Sequence, residues 1–369
     1  MLRHKAFRFR IYPTAEQAAL IHKTMGCSRF VFNYFLTKWN ETYNKTGQGL
    51  SYNKSATQLP ALKKKFDWLK EVDSIALQSA VGNVADAFDR FFRKLNNYPR
   101  FKSRKNPVQS YTTKYTNGNI AIQGNHLKLP KLGWIRFAKS RDIEGRILSA
   151  NVRRNSTGKY FASILCELEI QPLPQTDTFI GIDLGIKTFA VCSNSEVVAN
   201  PKPLRKYEKQ LIRWQRILSR RTKGGSNWHR AKQKVARIHE KIANCRDDFL
   251  HQITTKWIRE NQTICLEDLQ VKNLLKNHTL AKSISEVSWA KCRKLLTYKA
   301  EWFGRTISVV AKNFPSSQLC SACGHRNPDV KNLALREWDC AACGVHHERD
   351  HNASINIKQE GLRLIGQRP

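Results

Sequence analysis

Three carboxylates occupy positions that a folded chain rarely gives to an acid without a reason. Asp183 is set into the apolar run Phe179-Ile180-Gly181-Ile182-Asp183-Leu184-Gly185, which reads as a short buried strand with Phe189–Ser193 as its hairpin partner. An acid in such a strand is costly unless it is paired or binds a cation. Gly181 and Gly185 beside it let backbone or ligand come close. Glu267 ends a second apolar strand, Thr263-Ile264-Cys265-Leu266-Glu267, and Asp350 precedes Ala353, Ile355 and Ile357 at the start of a closing helix. Taken singly, each acid is a weak signal, because an acid at a strand end is more often a cap or a surface residue. Asp268 follows Glu267 directly, but strand side chains alternate faces, so it points away from any site that Glu267 enters.

Together the three acids give strand–acid, strand–acid, helix–acid, the layout of an RNase H-like nuclease. Phosphodiester hydrolysis needs an activated water on one side of phosphorus and a stabilised leaving oxygen on the other. Two Mg2+ ions about 3.5–4 Å apart serve both needs, and carboxylates are the hard oxygen ligands they take. The acids lie 84 and 83 residues apart, so the fold must bring them together.

A second constellation is sulfur-based. Cys320-Ser321-Ala322-Cys323-Gly324 and Cys340-Ala341-Ala342-Cys343-Gly344 form two CxxC pairs separated by sixteen residues. Zn2+ takes four thiolates in a tetrahedron, and this spacing is that of a zinc ribbon. The glycine after each pair can take the positive φ of the turn. Two redox dithiols are the weaker reading, because both pairs fall in one segment of about 30 residues among turn residues. Four thiolates fill the shell, which puts His346 and His347 outside it and makes the site structural. The other six cysteines, Cys27, Cys166, Cys192, Cys245, Cys265 and Cys292, have no paired spacing. Free thiols and a metal site fit a reducing cytoplasm better than a secreted disulfide framework does.

The charge names a partner. Lys and Arg number 64 against 29 Asp and Glu, for a net +35 in 369 residues. Such an excess repels itself and calls for a polyanion, and nucleic acid gains affinity with every phosphate contact. The cations are spread through the chain rather than lining one amphipathic helix, which argues against a membrane surface. No run approaches the roughly 18 apolar residues of a membrane span, and the start lacks a signal peptide's apolar core. The densest basic stretch lies between the first two acids. Residues 202–262 read as a helical hairpin broken near Gly224-Gly225, with Leu211, Trp214, Leu218 and Val235, Ile238, Ile242 at helical spacing. Arg213, Arg216, Arg220, Arg221, Arg230 and Lys234 on it are candidates for gripping a phosphate backbone; a solvated charged face is the bland alternative.

The remaining elements must hold these sites in place. Residues 3–12 alternate Phe7, Phe9 and Ile11 against Arg8 and Arg10, a half-buried strand that Pro13 ends. Thr14 and Gln17 form a capping box, and Ile21, Met25, Phe32, Phe35 and Trp39 then recur at helical spacing. After Asp73-Ser74, the stripe Leu77, Val81, Val84, Phe88, Phe91 and Leu95 predicts a second long helix. From about 100 to 175 the period falls to two, with runs at 119–123, 126–129, 134–137, 148–153 and 160–168, the pattern of a small β-barrel or sandwich. The strand at residues 5–11 is expected to join it, making the helices at 14–97 an insertion. Pro172 and Pro174 mark a linker.

These pieces resemble the TnpB (OrfB) proteins of bacterial insertion sequences, relatives of the type V CRISPR effector nucleases. The resemblance rests on Gly181-Ile182-Asp183-Leu184-Gly185-Ile186-Lys187, Leu266-Glu267-Asp268-Leu269, Tyr298-Lys299-Ala300-Glu301-Trp302, Phe314-Pro315-Ser316-Ser317-Gln318 and His347-Glu348-Arg349-Asp350-His351-Asn352-Ala353, in family order. It extends through Arg10-Ile11-Tyr12-Pro13 to nearly the whole chain. It implies an α/β multi-domain protein: a wedge β-barrel in two parts (1–13 and 98–176), a helical recognition lobe (14–97), and a RuvC nuclease domain (177–315 and 347–369) interrupted by the zinc ribbon (316–346).

The resemblance further implies Mg2+ at Asp183, Glu267 and Asp350, and a guide RNA from the transposon end. Double-stranded target DNA would carry a short adjacent motif that the protein itself reads. Tyr52, Ser74, Ile75, Gln78, Thr116 and Asn117 match positions where the family contacts that motif. Cleavage would need no protein partner, and the setting would be a prokaryotic cytoplasm at the nucleoid. Competing readings are a guided DNA-binding repressor, against which all three acids argue, and an unguided RuvC-type resolvase, which needs neither the helical lobe nor the ribbon.

Overall fold

The alternating strand at the start is β1, Leu2–Tyr12, with Phe7, Phe9 and Ile11 buried and Arg8 and Arg10 exposed. The capping box forms as the spacing predicts. Thr14 Oγ1 accepts from Gln17 N–H at 3.3 Å, and Gln17 Oε1 accepts from Thr14 N–H at 3.1 Å. It opens α1, Ala15–Thr46. Two short helices follow, α2 (Tyr52–Ala56) and α3 (Leu59–Lys65), and then α4 (Ser74–Phe92), whose cap Asp73 accepts from Ile75 N–H at 2.9 Å. Leu95, expected on the α4 stripe, lies outside the helix and is exposed. Lys94 takes a left-handed φ of 57°, which turns the chain away before Leu95 can continue the stripe.

The computed structural model describes residues 1–367. The segment expected at 347–369 therefore includes two residues, Arg368 and Pro369, outside the described ones. The chain divides into two compact units, one spanning Leu2–Glu169 and the other Met1 with the residues from Ile170 onward.

In the first unit, β1 joins six later strands: β2 (Gln109–Lys114), β3 (Ala121–Gln123), β4 (His126–Leu129), β5 (Gly133–Phe137), β6 (Arg146–Arg154) and β7 (Tyr160–Glu169). Every pairing is antiparallel, in the order β2-β6-β7-β1-β5-β4-β3. The helices α1 to α4 thus interrupt this sheet between its first and second strands. One core lies under the sheet, from Phe7, Ile135, Val152 and Ile164 among others, and a second joins α1, α3 and α4 through Phe35, Leu62, Leu77 and Val81.

The second unit is built on a mixed sheet. Its strands are β8 (Phe179–Leu184), β9 (Thr188–Cys192), β10 (Val197–Ala199), β11 (Thr263–Glu267) and β12 (Thr306–Val310), in the order β10-β9-β8-β11-β12. The first three form an antiparallel meander; β11 runs parallel to β8, and β12 to β11. Helices α5 (Pro203–Ser219) and α6 (Ser226–Glu260) carry the chain from β10 to β11. The segment from β11 to β12 contains α7 (Val271–Leu274), α8 (Ala281–Val287) and α9 (Trp289–Phe303). A small hairpin, β13 (Glu337–Asp339) with β14 (His346–Glu348), leads into α10, Arg349–Leu364.

Strand alternation assigns the two faces of this sheet. Ile180, Ile182, Ile264 and Leu266 pack with Leu250, Trp257, Leu295 and Leu296 of α6 and α9. The residues between them, Gly181 and Cys265, meet α10. No described helix is long and apolar enough to cross a membrane.

Candidate active site

The parity that sends Gly181 and Cys265 toward α10 sends Asp183 and Glu267, two residues further along, to the same face. The parallel register pairs Ile182 with Leu266, so the acids stand side by side at the carboxyl ends of β8 and β11. In α/β sheets that end is where ligands bind. Asp350, in the first turn of α10, supplies the third acid.

What brings α10 there is close backbone contact. A Cβ at Gly181 would lie 2.1 Å from Ser354 O and 2.6 Å from Lys358 N, and one at Gly361 would lie 2.5 Å from Cys265 Sγ. Only glycine fits at either place. Ser308 Oγ of β12 donates to Gly361 O at 2.7 Å and fixes the far end of the helix.

The electrostatics at this point are unfavourable for charge. Asp183 is half-buried and its carboxylate accepts no hydrogen bond among the described residues. Burial, and then the negative charges of Glu267 and Asp350, push it up to about 8, while Arg349 and Arg336 pull it partly back. Burial also raises Glu267, against a hydrogen bond from Ser316 Oγ that favours its ionised form. Asp350 faces Arg336, whose Nη1 lies 3.3 Å from both of its carboxylate oxygens. Asp268 turns elsewhere, to Arg293 and to Gln270 Nε2, which donates to it at 2.7 Å.

Asp183 and Asp350 border one cavity of about 520 Å3. Lys187, Lys202, Arg205 and Arg336 bring positive charge to it, and buried Glu286 brings a further acid. Glu286 Oε1 is occupied in capping α5: it accepts from Leu204 N–H at 2.7 Å and from Arg205 N–H at 3.3 Å. Arg336 and Glu286 were not singled out from the sequence, and Ser316 entered only within the motif Phe314-Pro315-Ser316-Ser317-Gln318. Each acts on a partner 14 to 82 residues away, and only the fold reveals that.

The four cysteines converge, with all their Sγ atoms within 4.8 Å of one another. Cys320 and Cys343 are 3.6 Å apart, as are Cys323 and Cys340. A tetrahedron with Zn–S bonds of about 2.3 Å has edges of about 3.8 Å, so the thiols are spaced for zinc and too far apart for disulfides. His347 lies outside the four but against them, its Nε2 3.0 Å from Cys320 Sγ. Among the described residues, no other group of His, Cys, Asp or Glu is drawn in as tightly. The three acids are therefore more widely spread than the thiols.

Arg213 and Arg216 lie on α5, Arg220 and Arg221 in the turn after it, and Arg230 and Lys234 on α6; all six are exposed, and among the described residues none is in an ion pair. The two helices close on Leu211, Ile238 and Ile242. Two nearby acids are engaged outside the hairpin, Glu208 with Lys282 and Asp247 with Lys291.

In the first unit, Tyr52 opens α2 and its ring comes within 3.7 Å of where a Cβ on Gly82 would stand, so it lies against α4 one turn from Gln78. Ser74 and Ile75 begin α4, where Ser74 Oγ takes a hydrogen bond from Lys63 Nζ at 2.8 Å. Thr116 and Asn117 belong to the turn after β2, Asn117 with a left-handed φ of 48°.

Three family descriptions match this chain: "probable transposase" over residues 163–278, "Cas12f1-like, TNB domain" over 289–357 and "helix-turn-helix domain" over 1–48. The last span folds here as β1 and one 32-residue helix rather than as two helices. A Streptomyces pristinaespiralis protein named as an RNA-guided DNA endonuclease is 40% identical, over 97% of this chain and 89% of its own length. An Escherichia coli K12 protein of the same designation is 32% identical over 99% and 94%. The fold is similar to that of the protein in a Cas12f1–sgRNA–target DNA complex, at a TM-score of 0.62 and 12% identity over 97% of this chain and 99% of that one. With identity of this level running nearly end to end, the chain belongs to the TnpB-like family, the probable transposases whose relatives are named RNA-guided DNA endonucleases.

Proposed function

We propose that this protein cuts target DNA under the direction of a guide RNA, hydrolysing phosphodiesters at Asp183, Glu267 and Asp350. The observation that carries the reading is Asp183. A half-buried carboxylate with no hydrogen bond, beside two further acids and raised to about 8, is a liability unless a cation answers it. Three carboxylates are the hard oxygen donors that suit Mg2+, as the four thiols suit zinc. Bound by these acids, divalent cations would supply Lewis-acid activation of the attacking water and stabilisation of the leaving oxygen. The chain's own groups do the rest. Ser316 orients Glu267, and the docking of α10 through Gly181 holds Asp350 beside β8. Arg336 and the lysines around the cavity offer positive charge to a phosphate backbone.

The strand order, with a three-strand meander followed by two parallel strands, supports a RuvC-type RNase H-like domain in two parts, 177–315 and 347–369, around a zinc ribbon at 316–346. The antiparallel sheet would be the wedge domain, 1–13 and 98–176, and the helices at 14–97 the recognition lobe. Tyr52, Ser74, Ile75, Gln78, Thr116 and Asn117 would read the target-adjacent motif. Arg213, Arg216, Arg220, Arg221, Arg230 and Lys234 would hold nucleic-acid backbone, with sequence read by guide–target pairing. The names of the relatives support this activity.

The experiment is to purify the protein from cells carrying the transposon end and sequence the RNA that accompanies it. The complex is then given guide-matched DNA with randomised flanks and Mg2+. A discrete RNA and cuts beside one motif are expected, and Asp183→Ala should retain DNA binding and lose cleavage. Cutting without RNA would favour the unguided resolvase, and guided binding without cutting the repressor.

A further inference from the structure

Asn352 and Asn356 stand one turn apart on α10, 1% and 4% exposed, in the stripe where that helix otherwise buries Ala353, Ser354 and Ile357. Side-chain amides are costly in such a stripe unless their donors and acceptors are matched. Asn352 is matched at both its donor and its acceptor, and Asn356 at its donor, by one segment. Asn352 Nδ2 donates to Leu319 O at 2.7 Å, and its Oδ1 accepts from Ser321 N–H at 2.9 Å. Asn356 Nδ2 donates to Ser316 O and to Leu319 O, each at 2.7 Å.

The segment they grip is bifunctional. At one end Ser316 Oγ donates to Glu267, and at the other Cys320 enters the four-thiol cluster. The return path is as short. His347 Nε2 touches Cys320 Sγ at 3.0 Å, and β14, to which it belongs, runs without a break into α10 and Asp350.

A knuckle that merely hung from the chain would need none of this. Its turns close on themselves, through Cys320 N–H to His325 O at 2.8 Å and Cys340 N–H to Val345 O at 3.0 Å. The buried amides of α10 are an addition, and they lead from the thiols toward two of the three acids.

We propose that Asn352 and Asn356 are positioning residues that fasten the cysteine knuckle to α10, so that zinc occupancy fixes the arrangement of Glu267 and Asp350. This rests on the reading of those acids as cation ligands. Outer partners that orient ligands change metal affinity by about 10–100-fold when removed.

The test uses the full-length, zinc-loaded protein with its guide RNA, as wild type, Asn352→Ala and Asn356→Ala. Three quantities are read: zinc per chain, hydrogen–deuterium exchange at 263–269 and 347–354, and the Mg2+ concentration giving half-maximal cleavage. In the variants zinc should stay bound, exchange in both segments should quicken about tenfold, and the Mg2+ requirement should rise about tenfold, with excess Mg2+ restoring most of the rate. A general loss of packing would instead quicken exchange throughout α6 and α9 and would not yield to Mg2+. Should either variant fail to fold, stripping zinc from the wild type must quicken the same two segments. Unchanged exchange there, in zinc-loaded variants or in the stripped wild type, overturns the proposal. A wild-type complex that cuts at no Mg2+ concentration would sink the nuclease reading instead, and the exchange result would still decide the coupling.

Discussion

Replacing Asp183 by Asn should make the Mg2+-free protein more stable. The carboxyl is raised from its ordinary 3.8 to about 8, by burial first and by Glu267 and Asp350 next. Its folded-state pKa thus lies above the unfolded one, so folding disfavours the ionised form. The associated stability is complete below about pH 3.8 and is lost as pH rises toward 8. At about 1.4 kcal/mol per unit, the interval from 3.8 to pH 7 sets a ceiling of about 4 kcal/mol. Residual solvent access at this half-buried side chain reduces that to about 2 kcal/mol. For a unit of this size that is about 4–8 °C in Tm. Asn preserves shape and removes the charge, so Asp183→Asn should melt higher by about that amount at pH 7 and by about 2 °C at pH 5. The assay is calorimetry of zinc-loaded protein in Mg2+-free buffer across that range. Added Mg2+ should then stabilise the wild type and leave the variant unmoved. A variant that melts at or below the wild type at pH 7, or whose advantage grows as pH falls, would refute the claim that this carboxylate is held against its charge.

Three further outcomes follow from the same geometry. Gly181→Ala puts a methyl 2.1 Å from Ser354 O, so α10 must shift; the unfolding free energy from urea titration should fall by about 3 kcal/mol, with cleavage lost, and a wild-type value would contradict the tight docking. Cys320→Ser should release zinc and lower stability, and metal analysis finding one zinc per chain would exclude the four-thiol site. Combining Arg213→Ala, Arg216→Ala and Arg230→Ala should flatten the slope of log affinity against log salt by about 2–3, whereas an unaltered slope would take the hairpin out of the nucleic-acid interface.

Much of this was legible before any coordinates, for reasons that differ by element. β1, the Thr14–Gln17 box, α4 and the strands at 126–129 and 160–169 announce themselves because one face is apolar and the period is clean. Strand β2, Gln-Ser-Tyr-Thr-Thr-Lys, escaped because it is polar and buries only Tyr111 and Thr113. β10 is three residues long, and β12 is a five-residue run whose buried positions include the polar Ser308. At the site, Asp183 and Glu267 were visible as charges in apolar strands, Asp350 as an acid at the start of a helix, and the cysteines as spacing. Arg336 and Glu286 were not, since a single Arg in a loop or Glu in a helix carries no local anomaly. Asn352 and Asn356 did carry one, two amides at i and i+4 within an apolar helical stripe, but the stripe alone does not say what they hold.

The acids are not equivalent, and the difference has a thermodynamic consequence. Asp350 lies in the first turn of a helix, where the macrodipole favours an anion, and it faces Arg336. Glu267 receives Ser316. Of the three, Asp183 has no hydrogen-bond partner among the described residues and is raised to about 8. A group in that state carries its proton at neutral pH and must give it up when a cation binds. Mg2+ binding should therefore release up to about one proton per chain near pH 7, and affinity should rise with pH until about 8 and then level off. Titration calorimetry in buffers of differing ionisation enthalpy measures that proton directly, and Asp183→Asn should abolish it. Mg2+ binding with no proton release at pH 7 would mean that Asp183 is already ionised, and the burden of drawing in a cation would shift to Glu267 and Asp350.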